Sequence, residues 1–85
     1  MQIIITHHAR IRMLERHVSE EDIAFTLSNY LMSRPGRNGG TGLYALMKDG
    51  STVVVWVAQE RPLTSPVIVK SVGREVRKWK YLTWP

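Results

Sequence analysis

Apolar positions at the start of the chain change from a continuous run to a helical spacing. Residues 2–6 are apolar and β-branched, which is typical of a β-strand. Thr6 suits the N-cap of a helix that runs to about His17. The buried stripe that we expect on this helix consists of Ile11, Leu14 and Val18, with His7 one turn earlier.

A second helix is predicted directly after the first. The Ser19-Glu20-Glu21-Asp22 segment combines an N-cap serine with acidic residues in the first turn, where the helix dipole favours negative charge. The predicted end lies near Ser33, because Pro35 cannot continue a helix. The positions expected to be buried are Ile23, Leu27 and either Tyr30 or Leu31.

Three strands are predicted in the second half of the chain. Residues 43–48 lead into Asp49-Gly50, a two-residue hairpin signal. Residues 51–59 are mostly apolar and are expected to form the central strand, and residues 67–72 form the last one, which Gly73 is expected to break.

This order predicts a single α+β domain over residues 1–85. Its elements run strand, helix, helix, strand, strand, strand, and we expect the two helices to pack on one face of an antiparallel sheet. Trp56, in the central strand, is expected in the core or against the helices. Residues 74–85 are expected to form a basic, aromatic tail, either as a short helix or as an extended arm.

The loop at residues 34–42 is rich in glycine and flanked by Arg34 and Arg37. A glycine-rich loop can hold phosphate through its backbone amides. This loop matches no nucleotide-binding fingerprint and precedes a strand rather than a helix. A flexible connection into the hairpin is therefore favoured over a phosphate cradle.

Positive charge is concentrated towards the C-terminus of a chain whose net charge is +5. Cations interleaved with aromatic rings suit nucleic acid, and the same surface suits an acidic protein partner, so charge alone leaves both open. Trp79 and Trp84 have two other roles, closing the sheet or forming a dimer contact, and the oligomeric state stays open. The candidate nucleic-acid-binding residues are Arg34, Arg37, Arg74, Arg77, Lys78, Trp79, Lys80 and Tyr81.

Several classes of protein and site are excluded by what the sequence lacks. It has no cysteine, so disulfide bonds and thiolate metal sites are ruled out. No apolar run approaches the ~20 residues of a membrane span, and no signal peptide is apparent, so we expect a cytoplasmic protein without a membrane partner. His7 and His8 diverge around a helix, and with His17 they make a poor metal site. We expect neither a metal nor a cofactor.

The candidate catalytic residues begin with a row on the first helix. His8, Arg12 and Arg16 are four residues apart and so share one face, where an imidazole can exchange protons and guanidiniums can hold a phosphate. Structural alternatives are a buried His8 that caps the helix, and ion pairs of the arginines with Glu15, Glu20 or the sheet edge. Structural pairing is favoured for Arg16.

Lys70 and Ser71 in the last strand complete the candidate catalytic set. Adjacent residues of a strand point to opposite faces, so only one of them is expected to face the row. A serine there donates to a phosphate oxygen, and a lysine stabilises the transition state electrostatically.

The opening motif of the chain consists of His8, Ala9, Arg12, Met13, Arg16, Val18, Ser19 and Ile23. This motif resembles that of the small proteins of domain-of-unknown-function family 4258. The later part of the chain is similar too, with Tyr44 in a strand, the Asp49-Gly50 turn and the valine-rich strands. The family usually has glycine where His17 stands and threonine where Ser71 stands, so the turn between the helices is expected to differ while the hydroxyl is kept.

This resemblance implies a RelE-like fold and kinship with the RelE/ParE-like toxins of bacterial toxin–antitoxin pairs. Some proteins of that fold cleave RNA without metal, and others only bind partners, so the fold alone leaves activity open. The first hypothesis is a toxin-like, metal-independent ribonuclease that acts on single-stranded or ribosome-bound RNA with the His8 row. The alternative is a non-catalytic basic module that binds nucleic acid or an acidic antitoxin-like or immunity-type protein.

Overall fold

In the computed structural model, which describes residues 2–75, both helices begin where the sequence predicts. Helix α1 (His7–Arg16) has Thr6 as its N-cap, and the Thr6 side chain accepts a hydrogen bond from the Ala9 amide at 3.1 Å. Helix α2 (Glu20–Asn29) follows Ser19, which forms a reciprocal capping box with Asp22. Local capping chemistry therefore fixes both helix starts.

The turn between the helices contains a histidine in the left-handed conformation. His17 has φ 57° and ψ 48°, and the Val18 amide donates to the Met13 carbonyl at 3.0 Å. Glycine adopts this conformation without a steric penalty, whereas another residue loses about 1 kcal/mol. His17 therefore keeps the turn at the expense of local strain.

Five strands within the described residues form one mixed sheet. They are β1 (Ile3–Ile5), β2 (Met32–Pro35), β3 (Thr41–Leu46), β4 (Thr52–Val57) and β5 (Val67–Glu75). The order across the sheet is β1-β5-β4-β3-β2, in which β1 runs parallel to β5 and the other neighbours are antiparallel. The fold is thus α+β, as predicted, with two helices packed against the sheet, but the purely antiparallel sheet that we expected is wrong.

The additional strand β2 lies where the sequence predicted the end of α2 and a loop. Helix α2 ends at Asn29, and Tyr30 is already extended. The residues that follow pair with β3, from Met32 opposite Tyr44 to Pro35 opposite Thr41. Strand β2 lies at the sheet edge, where a proline is tolerated because its missing N–H need not join a second ladder.

The buried face of α1 differs from the predicted one. Ile11 and Leu14 are 43 % and 82 % exposed, whereas Ala9 is fully buried and Met13 packs against the core. Of the predicted stripe only Val18 is buried.

The connection between β1 and α1 explains this rotation of the helix. The Thr6 amide donates to the Val69 carbonyl at 3.1 Å, and its hydroxyl donates to the Lys70 carbonyl at 3.4 Å. The helix start is therefore tied to β5, which turns the small Ala9 towards the sheet. In α2 the expected residues Ile23 and Leu27 are buried, and Tyr30 rather than Leu31 packs against the core.

Strand β4 is the central strand, as predicted, and its alternation separates the two faces of the sheet. Val53, Val55 and Val57 are buried in the core. Trp56 lies on the alternate face and is only partly buried, so our expectation of Trp56 in the core or against the helices is wrong.

Strand β5 continues through Gly73 to Glu75, so the break predicted at Gly73 does not occur. Arg74 thus belongs to the sheet rather than to the tail. The remainder of the predicted tail, residues 76–85, lies outside the described residues. Within residues 2–75, neither helix has the length and apolar character that a membrane crossing requires.

Candidate active-site cleft

An irregularity in β5 brings Lys70 and Ser71 to the same region of the sheet. Trp56 of β4 pairs with Ser71 but the next residue, Val57, pairs with Val69, so Lys70 has no opposite residue on β4. An extra residue of this kind shifts the alternation of a strand. The expectation that only one of Lys70 and Ser71 faces the site is therefore wrong, because both line one cleft.

This cleft is an open depression with a volume of about 630 Å³. It is lined by the first turn of α1, by the segment that joins β2 to β3, and by β4 and β5. Among the described residues, its lining comprises His8, Pro35, Gly36, Arg37, Gly40, Trp56, Val57, Lys70 and Ser71.

His8 reaches the cleft because α1 starts beside the irregular part of β5. The cap of α1 is Thr6, which also contacts the Lys70 carbonyl, so His8 in the first turn lies next to that segment. The His8 side chain is exposed. The structural alternative of a buried, capping imidazole is therefore wrong.

The polar side chains of the cleft have no internal partners in the part of the chain that the structure describes. Within residues 2–75, the side chains of His8, Arg37, Lys70 and Ser71 make no hydrogen bond or ion pair to another side chain or to the backbone. No acidic side chain is among the described lining residues. The cleft thus presents cationic and proton-exchanging groups to an anionic ligand.

The two arginines of the predicted row do not line the cleft. Arg12 pairs with Glu15 at 2.7 Å, an ion pair between residues three apart on α1. Arg16 donates to the Val72 carbonyl at 2.8 Å, which holds the end of α1 on β5, so the structural pairing favoured for Arg16 is confirmed. The single functional row that the helical spacing predicts is therefore divided, and only His8 of the three faces the cleft.

The three predicted nucleic-acid-binding arginines that the structure describes, Arg34, Arg37 and Arg74, have different placements. Arg37 lines the cleft, in a single 3₁₀ turn at Arg37–Gly39. Arg34 lies with its guanidinium carbon 5.9 Å from the centre of the Tyr44 ring, a cation–π contact. Arg77, Lys78, Trp79, Lys80 and Tyr81 lie outside the described residues.

Arg74, the third arginine, is held within the fold. It pairs with Asp22 at 2.9 Å and with Asp49 at 3.4 Å, and it donates to the Ser51 hydroxyl at 2.7 Å. Its side chain is only 18 % exposed. These contacts join α2 to the β3–β4 turn, so the prediction of Arg74 as a nucleic-acid-binding residue finds no support in its position.

Hydrogen bonds in that turn lower the pKa of Asp49 below its ordinary value of 3.8. The main causes are the bonds from the hydroxyl and amide of Ser51, at 2.6 and 2.9 Å, with a smaller contribution from the charge of Arg74. The charged carboxylate is therefore the form that fits the turn.

Trp56 is the cleft residue whose position the sequence did not predict. A Cβ on its cross-strand partner Gly42 would lie only 2.5–2.8 Å from the indole ring, so the ring occupies the space over the bare glycine. Tyr44 meets the indole edge-on, with the ring centres 6.2 Å apart. In a strand where nearly every residue is apolar, alternation alone does not tell which face is the core.

Within the described residues, no group of three or more His, Asp or Glu side chains is placed to hold a metal ion.

The chain was also compared with protein-family models, curated proteins and solved structures. None of these comparisons gives a match. Function is therefore argued from the chemistry of the cleft.

Proposed function

We propose that the protein is a metal-independent ribonuclease that binds a phosphodiester of single-stranded RNA in the cleft. The observation that carries this proposal is the collection of His8, Arg37, Lys70 and Ser71 around one depression with no acidic lining among the described residues. Three of these side chains supply donors to phosphate oxygens, and the imidazole supplies a base.

Four side chains take part in the proposed cleavage reaction. His8 accepts the proton of the ribose 2′-hydroxyl, and the 2′-oxygen attacks phosphorus. The bond from phosphorus to the 5′-oxygen breaks, and the Lys70 ammonium donates a proton to that oxygen. Ser71 donates a hydrogen bond to a non-bridging oxygen, whose charge grows in the transition state, and Arg37 binds the next phosphate of the same RNA. The products are one fragment with a 2′,3′-cyclic phosphate and one with a 5′-hydroxyl, and solvent restores both protonation states.

The resemblance of the opening motif to family 4258 implies kinship with a fold in which some proteins cleave RNA without metal. His8 is the one polar member of the predicted row that lines the cleft, and it is also the first residue of that motif. The proposal also includes a toxin-like role, a cytoplasmic location and ribosome-bound RNA as a substrate.

The direct test is cleavage of a single-stranded RNA by His8→Gln beside His7→Gln. His7 is the neighbouring exposed histidine and does not line the cleft, so it controls for loss of an imidazole on α1. We expect His8→Gln to lower the rate constant at least ~100-fold, as loss of a general base does, and His7→Gln to leave it unchanged. Lys70→Gln beside the exposed Lys48→Gln makes the same comparison for the lysine.

The products and the substrate chemistry decide the outcome of this test. Cyclic phosphate termini, and no cleavage of the same sequence as DNA, agree with attack by the 2′-hydroxyl. Equal rates for His8→Gln and His7→Gln, with both variants folded by thermal unfolding, contradict the role of His8.

A non-catalytic binding module is the second candidate, and one observation favours it. The described lining contains a single imidazole and no carboxylate, so it offers few groups for proton transfer. In that case the wild-type protein holds RNA without cleaving it, or binds an acidic antitoxin-like protein. An affinity for RNA that falls steeply as the salt concentration rises indicates RNA binding rather than binding to an acidic protein.

A further inference from the structure

The cleft has an aromatic centre between two polar ends. Lys70 and Ser71 lie on β5, and His8 is on the same side because α1 follows β1, the neighbour of β5. Trp56 lies on β4, and Arg37 follows the end of β2. The segment that carries Arg37 lies against β4, because a Cβ on Gly36 would be 3.2 Å from the Trp56 ring and a Cβ on Gly40 would be 2.6 Å from the Val57 carbonyl oxygen.

The size and lining of the cleft indicate a ligand larger than a bare anion. Its volume of about 630 Å³ is in the range of sites that enclose a small organic molecule. Trp56 supplies the aromatic part of this lining, between Lys70 and Ser71 on one side and the segment of Arg37 on the other. A ligand that satisfies all of these groups must be anionic at both ends and planar and apolar between them.

We infer that Trp56 forms a nucleobase-binding subsite between two phosphate subsites. This inference rests on the proposed function, and it gives the substrate class as an unpaired RNA segment of at least two phosphates. The phosphate to be cleaved lies at His8, Lys70 and Ser71, one base packs against the Trp56 indole, and the next phosphate lies at Arg37. Stacking on an aromatic ring requires an unpaired base, so double-stranded RNA is excluded.

Trp56 is suited to this role because its neighbours fix the ring. The missing Cβ of Gly42 leaves room for the indole, and a Cβ on Gly36 would also lie near it, at 3.2 Å. The edge-on contact with Tyr44 limits rotation of the ring. An aromatic ring that is already fixed loses little conformational freedom when a base binds.

The test measures binding of two uncleavable probes by fluorescence anisotropy. One probe is a short 2′-O-methyl oligoribonucleotide, which lacks the attacking hydroxyl, and the other is an abasic oligomer of the same length and charge. We expect the wild-type protein to bind the base-bearing probe about fivefold or more tightly than the abasic one. Trp56→Leu should lose this preference, and Trp56→Phe, which keeps an aromatic ring, should keep most of it.

The outcomes separate this inference from the proposed function. Equal wild-type affinity for both probes overturns the base subsite while leaving phosphate binding intact, and this comparison needs no variant to fold. A preference that persists in Trp56→Leu also overturns it. No binding of either probe by the wild-type protein overturns both the inference and the proposed function.

Discussion

At the scale of single residues, the cleft depends on one glycine. Gly42 is buried in β3 opposite Trp56, and its backbone is covered by the indole ring. Glycine in a strand interior is normally a weak choice, since it loses more conformational freedom on folding than other residues. Its presence here is explained by the space that the ring requires.

Gly42→Ala is therefore expected to destabilise the protein, although the same change in an ordinary strand stabilises it. The added Cβ would lie 2.5–2.8 Å from three ring atoms, so the ring or the strand must move. We expect a loss of about 1–3 kcal/mol in the free energy of unfolding, measured with urea.

The double variant Gly42→Ala with Trp56→Leu is the control for this prediction. If the clash with the ring is the cause, the added Cβ costs much less in the Trp56→Leu background than in the wild-type one. An equal loss in both backgrounds, or no loss in Gly42→Ala, contradicts this account of the glycine.

At the scale of elements, one arginine joins a helix start to a hairpin turn. Arg74 of β5 contacts Asp22, which belongs to the capping box of α2, and Asp49 and Ser51 in the β3–β4 turn. The Asp22 and Arg74 side chains are 27 % and 18 % exposed, so their ion pair is less screened by water than a surface pair. The sequence alone predicts instead that Arg74 belongs to a C-terminal tail that binds nucleic acid.

The Asp49 turn predicts a dependence of stability on pH. Because the pKa of Asp49 is lower in the folded protein than in the unfolded chain, its charged form stabilises the fold. This stabilisation is complete above the ordinary aspartate pKa of 3.8 and is lost as the pH falls below that value towards the folded-state pKa.

Asp49→Asn is expected to remove this component of the pH dependence. Urea unfolding between about pH 6 and pH 2.5 should show a smaller decrease in stability for Asp49→Asn than for the wild-type protein. Glu60→Gln, which neutralises an exposed carboxylate on another loop, serves as the control and should retain the wild-type slope. Parallel curves for wild type and Asp49→Asn contradict the role assigned to this turn.

Elements with local signals could be predicted, and those that depend on distant contacts could not. Thr6 and Ser19 determine their helix starts through bonds to residues three positions ahead, and the sequence shows both. Strand β2 exists because β3 pairs with it, and the irregularity at Lys70 exists because β4 and β5 differ in register, so neither leaves a local pattern.

At the scale of the whole molecule, the protein combines a packed core with an open cleft. The two helices bury the valines of β4 and β5, while the irregular part of β5 and the start of α1 form the cleft. The sequence predicted the α+β class. All four polar residues of the described lining are among its candidate site residues, His8, Lys70 and Ser71 as catalytic and Arg37 as nucleic-acid-binding.

The reasons for the remaining errors at the site are physical. Helical spacing aligned Arg12 and Arg16 with His8, but Arg12 has an acidic neighbour three residues away and Arg16 reaches a backbone carbonyl of β5. Spacing along a helix shows which groups share a face and not which of them are already paired. The net charge of +5 suits an anionic ligand but does not locate its site.

The central claim is that RNA phosphate binds in the cleft and not along the exposed face of α1. The most direct measurement is the change in NMR chemical shifts of the isotope-labelled protein on adding a 2′-O-methyl oligoribonucleotide. We predict that the largest changes affect the amides of His8, Gly40, Lys70 and Ser71 and the indole of Trp56, with Ile11 and Leu14 nearly unchanged. Largest changes at Ile11, Leu14 and their neighbours on α1, or no changes at saturating RNA, would contradict the account.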